Sequence, residues 1–373
     1  MAYTSPTQQS LLAARYSFWK AGSTISADSH VPPRPATLED VARLAGVHPS
    51  TASRSLADQP VRISSATVAR VREAARSLGY RRDNAAATLR TGSSRLIGVL
   101  VPRLTDIVLA TMYGGVDAAA AAHGYGAVVS NGLDDPQVRR DRLDALLARR
   151  IDGVILADAR RGDTVADDLA ANGFPYVLAM RTLPGHVSVS TDDVEGGRAA
   201  ARHLLEQGHR AAGIAAADPL ASTGRDRTAG FREVYAAAGF PVPDSAVVAS
   251  GFGVAGGRRA GTLLAAAQPR LTAVFAVDDL TAIGVMGSLR DAGRIVGTDI
   301  ALVGYNDIDL AADLPVPLTS VRSDLDQMGR LSLNLLLARI AGREVESVLL
   351  PPVLMPRASS VGRVGANSRT ETT

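Results

Sequence analysis

The sequence predicts an α/β protein in two parts: a small helical head, then two lobes of doubly wound parallel sheet. Three observations predict it. Residues 37–80 carry apolar positions at helical spacing, punctuated by Gly46 and Pro49. From Leu96 the texture changes to short apolar runs alternating with Ala- and Leu-rich helical stretches, the signature of βα units. Those units are too many for one compact sheet and their order repeats, so two lobes are expected.

In the head, Thr37 is a good N-cap, and Glu39 and Asp40 follow in the first turn, where the helix dipole favours negative charge. Leu38, Val41, Ala42 and Ala45 form one apolar face, and Gly46 ends the helix. Pro49 suits the first position of a second helix, because its missing N–H would have no partner there. That helix runs to about Leu56, with Ala52 and Leu56 inward and Ser50, Thr51, Ser53 and Arg54 outward. A third helix opens at Ser64 with Val68, Val71, Ala75 and Leu78 on one face. Two helices joined by a tight Gly turn and braced by a third make a helix-turn-helix, whose second helix enters the major groove. The bland alternative is a structural helical hairpin with a solvated arginine face.

The lobes read in order. LIGVLVP is a buried strand, 110–122 a helix ended by Gly124, GAVVSN a strand, and 137–149 a helix. DGVILA, YVLAM and VSVST follow as strands. The second half has helix VEGGRAAARHLLEQGH, strand AAGIAAA, helix TAGFREVYAAAGF, and strands VVAS, AVFAV and ALVGY separated by helices 256–267 and 279–291. The stretch from Leu318 to Arg357 adds a helix and a strand.

Composition narrows the function. The 373 residues suffice for several domains, and a net charge of +3 is not that of a nucleic-acid coat protein. The head is locally basic: Arg43, Arg54, Arg62, Arg70, Arg72, Arg76, Arg81, Arg82 and Arg90 outnumber its acids, which is the footprint phosphate binding needs. Lys20 is the one lysine, a codon-bias signature, so arginine abundance elsewhere carries no functional weight. Without cysteine, disulfides and thiolate chemistry are excluded. No run is long and apolar enough to span a membrane, and the N-terminus lacks a secretory pattern, so a cytoplasmic, nucleoid-associated location is expected.

The pattern T-L-x-D-V-A-x-x-A-G-V-x-x-x-T-x-S-R-x-L at 37–56 resembles the head of the lactose/galactose repressor (LacI/GalR) family, and the resemblance continues to about residue 360. It implies a repressor that binds a palindromic operator as a homodimer and answers to a small-molecule effector, a sugar or other small metabolite, with no further cofactor. Pro49 and Ser50 fall where that family reads bases, Arg54 on the arginine ending the recognition helix, and Thr51 and Ser53 on phosphate-contacting hydroxyls. Thr37 and Tyr80 belong to the same DNA-binding set. His48 replaces a capping serine and Ala57 a common asparagine. Residues 84–92 resemble the hinge helix that folds on DNA: Leu89 matches its minor-groove wedge and Ala86 a small position, while Arg82 and Asp83 replace proline and asparagine. The implied division is a disordered extension (1–36), a DNA-binding domain (37–82), the hinge helix (83–93), a two-lobed effector-binding and dimerisation domain like the periplasmic sugar-binding proteins (94–364), and a disordered tail (365–373).

Ligands of open α/β sheets sit at the carboxyl ends of strands, and in two-lobed proteins in the cleft. Asp106, Arg181, Asp192, Arg225, Asp278 and Asn306 occupy such positions. The resemblance assigns effector contacts there, matches Arg225 to a ligand-holding arginine and Phe252 to a stacking aromatic. Met180, Asp278 and Asn306 depart from the family's usual aspartate, asparagine and aspartate. Paired with arginines, these groups suit diols, and Arg181 and Arg225 would equally suit an anion. For each residue alone the alternative is a strand-end cap or a surface ion pair.

Competing functions are weaker. GFGVAGG at 251–257 matches the dinucleotide fingerprint G-x-G-x-x-G, with Asp278 about 20 residues on, and taken alone suggests an NAD-binding enzyme, but that fingerprint belongs in a domain's first βα unit, not deep in a second half. A transported sugar-binding protein fits the lobes but not the head. No H-E-x-x-H or G-x-S-x-G occurs, so no catalytic or metal residue is assigned; His203 and His209 read as a helix face and its C-terminal cap.

Overall fold

The structure, a computed structural model, describes residues 36–56, 63–80, 92–268 and 270–361. The expected extension up to residue 35, Ala57, the hinge helix with Ala86 and Leu89, and the tail lie outside the described residues. The chain divides into two compact units, Met1–Asn84 and Ala85–Thr373.

The first unit holds α1 (Leu38–Leu44), α2 (Pro49–Ser55) and α3 (Ser65–Ser77). Thr37 starts α1 with a full capping box: the Asp40 N–H donates to its hydroxyl, and its own N–H donates to the Asp40 carboxylate at 2.9 Å. Gly46 turns the chain at φ 63°, a left-handed conformation costly for other residues. Val41, Ala42, Ala45, Ala52, Val71, Ala74 and Ala75 form the core. One expectation is corrected. Leu78 is 37% exposed, because it stands at the C-cap past the last turn of α3, and Ala74 takes the inward place. On α2, Ser55 is buried beside Ala52, and Leu56, the C-cap, packs against the same core.

The second unit has two parallel sheets. Lobe 1 contains β1 (Leu96–Val101), α4 (Ile107–Ala122), β2 (Gly126–Asn131), α5 (Pro136–Leu147), β3 (Gly153–Leu156), α6 (Val165–Ala171), β4 (Tyr176–Ala179) and β5 (Ser188–Thr191). Lobe 2 contains α7 (Asp193–Glu206), β6 (Ala212–Ala216), α8 (Ser222–Ala237), β7 (Val247–Ala249), α9 (Gly253–Ala267), β8 (Ala273–Ala276), α10 (Asp279–Asp291), β9 (Ala301–Asn306), α11 (Leu310–Asp313) and β10 (Thr319–Arg322). The chain then returns to lobe 1 for α12 (Leu325–Ile340) and β11 (Val348–Leu350), and crosses again for β12 (Val353–Met355). The sheet orders are β11-β5-β4-β3-β1-β2 and β12-β10-β9-β8-β6-β7, with only the β10–β12 pair antiparallel. Strand β1 pairs in parallel with β2 and β3, and β6 with β7 and β8, so each half is doubly wound.

The last stretch differs from expectation. Pro351 and Pro352, lacking N–H groups for a ladder, split VLLPPVLM into two short strands in different sheets. Strand β10 was hidden because its buried residues include Thr319 and Ser320, which pair through hydrogen bonds instead of apolar burial. The two-turn α6 lacks a side-chain cap at Thr164 and left no periodic signal. Helices α4 and α12 cross closely because a Cβ on Gly115 or Gly329 would strike the backbone oxygen of Asp326 or Met112.

Candidate functional site

In the head, α2 is capped by His48. Its Nδ1 accepts from the Ser50 N–H at 3.2 Å and lies 2.8 Å from the Ser50 hydroxyl, so the imidazole does the work of the absent serine. Ser50 is exposed, and Pro49 occupies the first helical position. Arg54 is exposed; its Nε donates to the Ser50 carbonyl at 3.0 Å, leaving its terminal nitrogens for a partner outside the chain. The resulting fork has the geometry for guanine O6 and N7. Thr51 and Ser53 lie partly exposed on the same helix. Thr37 spends its hydroxyl on the cap with Asp40, and Tyr80 packs against the head's core.

In the second unit a narrow cleft opens between the carboxyl ends of the two sheets. Loops and helix starts from both lobes supply its walls. Asp106, Arg181, Phe252, Asp278 and Asn306 meet there as expected, joined by Arg103, Met180, Thr223 and Arg227. Asp106 caps α4 through Oδ1, which accepts from the Val108 N–H at 3.1 Å. Burial, with the Asp278 carboxylate next in effect, raises its pKa. Asp278 caps α10, accepting from the Thr281 N–H at 2.8 Å and hydroxyl at 2.6 Å, and burial raises its pKa too. Each residue is therefore both cap and cleft wall.

The arginines are anchored from behind. Arg181 is buried and donates to the Asp158 carbonyl at 3.2 Å; burial lowers its pKa, although Asp134 and Asp158 favour its charge. Arg103 pairs with Asp134. Arg103 and Arg181 both place their guanidinium carbon 5.9 Å from the centre of the Phe252 ring. Arg227 is buried, donating from Nε to Asp193 at 2.7 Å and from Nη1 to the Val277 carbonyl at 2.7 Å. Burial works against its charge, but Asp193 and its other neighbours prevail and raise its pKa. Asn306 is held at φ 96° and accepts on Oδ1 from Arg227 and the Ser323 hydroxyl at 3.4 Å. Met180, at φ 63°, is a second cleft residue in a conformation that costs a non-glycine residue about 1 kcal/mol or more.

Two expected residues stand elsewhere. Asp192 caps α7, accepting from the Glu195 N–H at 2.9 Å, and does not reach the cleft. Arg225 is bound to its neighbour Asp226 at 2.7 Å and also lies outside the cleft wall. Residues two apart on a helix differ by about 200°, so Arg225 and Arg227 cannot share a face. The signal for Arg227 was present: Thr223, Arg227, Phe231 and Tyr235 recur every four residues, and all four are buried. The GFGVAGG stretch follows β7 at the sheet's edge; Gly251 and Gly253 take positive φ where the chain turns into α9, and Gly257 lets α9 approach the Thr281 backbone of α10. His203 sits within α7 with Nε2 2.7 Å from the Ser360 hydroxyl, and the His209 N–H donates to the Leu204 carbonyl at 2.9 Å. Among the described residues no helix is long and apolar enough to cross a membrane.

Residues 37–83 match the family model described as bacterial regulatory proteins, lacI family, and residues 201–360 match a periplasmic binding protein-like domain. The HTH-type transcriptional regulator CelR of Thermobifida fusca is 35% identical over 334 residues, covering 85% of this chain and 95% of that protein. The lac repressor dimer bound to operator and the anti-inducer ONPF superposes with a TM-score of 0.80 at 26% identity, covering 88% of this chain and 99% of its own. A CelR–cellobiose complex superposes with a TM-score of 0.67 at 32% identity, covering 87% of this chain and 99% of its own. With a capped recognition helix in the head and a polar cleft between two parallel sheets, the chain belongs to the lacI family of bacterial regulatory proteins, DNA-binding regulators of transcription.

Proposed function

We propose that the chain is a cytoplasmic repressor whose dimer holds a palindromic operator, and whose grip is set by a small sugar bound between the lobes. The observation that carries the effector class is the pairing of the cleft's arginines. Arg103 and Arg181 share the carboxylate of Asp134, Arg227 is matched by Asp193, and Asp106 and Asp278 add negative charge, so the cleft's three guanidinium groups face four carboxylates. A neutral polyol, donating to carboxylates and accepting from guanidinium groups over the Phe252 ring, fits that balance better than an acid. The cellobiose complex of CelR supports the same class. Asp106, Arg181, Arg227, Phe252, Asp278 and Asn306 are the contacts we assign.

On DNA, Pro49 offers an apolar contact, Ser50 and Arg54 read base edges, and Thr51 and Ser53 meet phosphates. Leu89, outside the described residues, is assigned the minor-groove wedge. The effector acts by binding two lobe arrangements with different affinity.

The test is selection of bound sequences from random duplex DNA with the purified protein, then titration of mono- and disaccharides against the enriched duplex. A palindrome whose affinity moves with a neutral sugar is the expected result, and the direction of the shift separates inducer from co-repressor. Response to organic acids alone would overturn the effector class. Arg54→Ala should relax base preference at one symmetric position; a uniform loss across sequences would make it a phosphate contact instead.

A further inference from the structure

The segment that leads from the head enters the sensor at Ser93–Arg95, directly before β1. One carboxylate holds all three residues. Asp152 accepts from the Ser93 hydroxyl, from the Ser94 N–H at 2.8 Å, from the Ser94 hydroxyl at 2.9 Å and from the Arg95 N–H at 3.2 Å. Its own N–H donates to the Leu96 carbonyl at 2.8 Å, which ties this clasp to the start of β3. From the other side, the Arg95 carbonyl accepts from the Gly126 N–H at 2.8 Å, and its guanidinium lies 5.0 Å from the centre of the Tyr125 ring. Arg95 is held at φ 56°, a left-handed conformation that sets the chain's direction as it meets the sheet. The start of β6 has the counterpart of the second half of this arrangement, with Thr272 bonding the Ala211 carbonyl and Arg210 over the Phe240 ring, whereas the carboxylate grip of Asp152 is described at β1.

We propose that Asp152 is a positioning residue for operator binding. By fixing the direction in which the head-bearing segment leaves each sensor, it holds the two heads of a dimer at one spacing. The proposal rests on the reading of a dimer on a palindrome. Its physical content is effective concentration: once one head has bound, the second binds as an intramolecular step whose strength depends on how narrowly its position is confined. Loosening the clasp therefore weakens the two-headed complex and leaves a single head's grip unchanged.

The experiment compares wild type, Asp152→Asn and the double variant Ser93→Ala, Ser94→Ala. Asparagine keeps the volume but turns an amide nitrogen toward backbone donors; the serine variant breaks the clasp from its other side. Two duplexes serve as probes: the palindrome enriched by the wild type, and the same duplex with one half scrambled. Both variants are expected to bind the palindrome roughly ten-fold more weakly and the half-site within about two-fold of wild type. Loss on both probes in parallel would mark a folding defect and overturn the proposal. So would variants that match wild type on the palindrome. A wild type with no preference for the palindrome would overturn the dimer reading and the clasp together, which separates the two failures.

Discussion

Arg227 and Asp193 form an ion pair at 2.7 Å in which the side chains are only 4% and 7% exposed. The pair joins α8 to the first turn of α7 and presents one face of the guanidinium to the cleft. Removing one partner leaves the other charged and buried, which costs about 3–5 kcal/mol. Asp193→Ala should therefore lower the sensor's melting midpoint by on the order of 10 °C. Adding Arg227→Met should restore part of that loss. A double variant as unstable as the single one would show that the defect is packing and not the stranded charge.

The two arginines of α8 make opposite predictions for ligand binding. Arg225→Ala should leave effector affinity within about two-fold, because its group is satisfied by Asp226. Arg227→Lys should weaken it ten-fold or more, since an ammonium cannot replace the fork that joins Asp193, Val277 and the cleft. Calorimetry with the sugar found in the screen measures both. A larger loss at Arg225 would reverse the assignment.

His48 makes the head's stability depend on an unusual cap. His48→Ala should destabilise the head by about 1 kcal/mol, and His48→Ser should hold or improve it. The measurement is thermal unfolding of the head, followed in the full chain by amide exchange of α2. Equal stability of all three proteins would mean that the imidazole contributes nothing to the cap.

Asp279 gives the sensor a pH dependence. Burial, opposed by hydrogen bonds from Ser320 and Ile308 and reinforced by Asp278 and Asp307, pushes its pKa up to about 7. The folded chain then holds a proton that the unfolded chain, with an ordinary value near about 4, releases. The stability this adds is full below about pH 4 and is lost as pH rises to about 7. Asp279→Asn keeps an acceptor for the Ile308 N–H, requires the Ser320 hydroxyl to turn from donor to acceptor, and stays neutral. Its melting midpoint relative to wild type should rise across that window and level off above it. A difference that is constant from pH 4 to 9 would sink the protonation argument.

The repeat of βα units was legible because buried parallel strands are continuous apolar runs, as in Leu96–Val101 and Ala273–Ala276. Strand β10 was not, because Thr319 and Ser320 are buried by partners distant in sequence. The cleft shows the same boundary. Asp106, Asp278 and Asn306 could be placed at strand ends from the alternation alone, whereas the choice between Arg225 and Arg227 needed the helix phase set by Phe231 and Tyr235. The Asp152 clasp joins residues 57 to 59 positions apart, and no local pattern marks it.

The chain passes between the lobes three times, after Thr191, Arg322 and Leu350. All three passages run between the β11-β5 edge of one sheet and the β12-β10 edge of the other. Three tethers along one side oppose sliding and twisting more than rotation about that side, as pins along one margin leave a door free to swing. The segment that leads from the head joins the second unit on lobe 1, through Ser93–Leu96. On the function proposed above, a sugar acts on the operator through the angle between the lobes, so substitutions at the three passages should alter the effector's leverage on the operator without touching either binding surface.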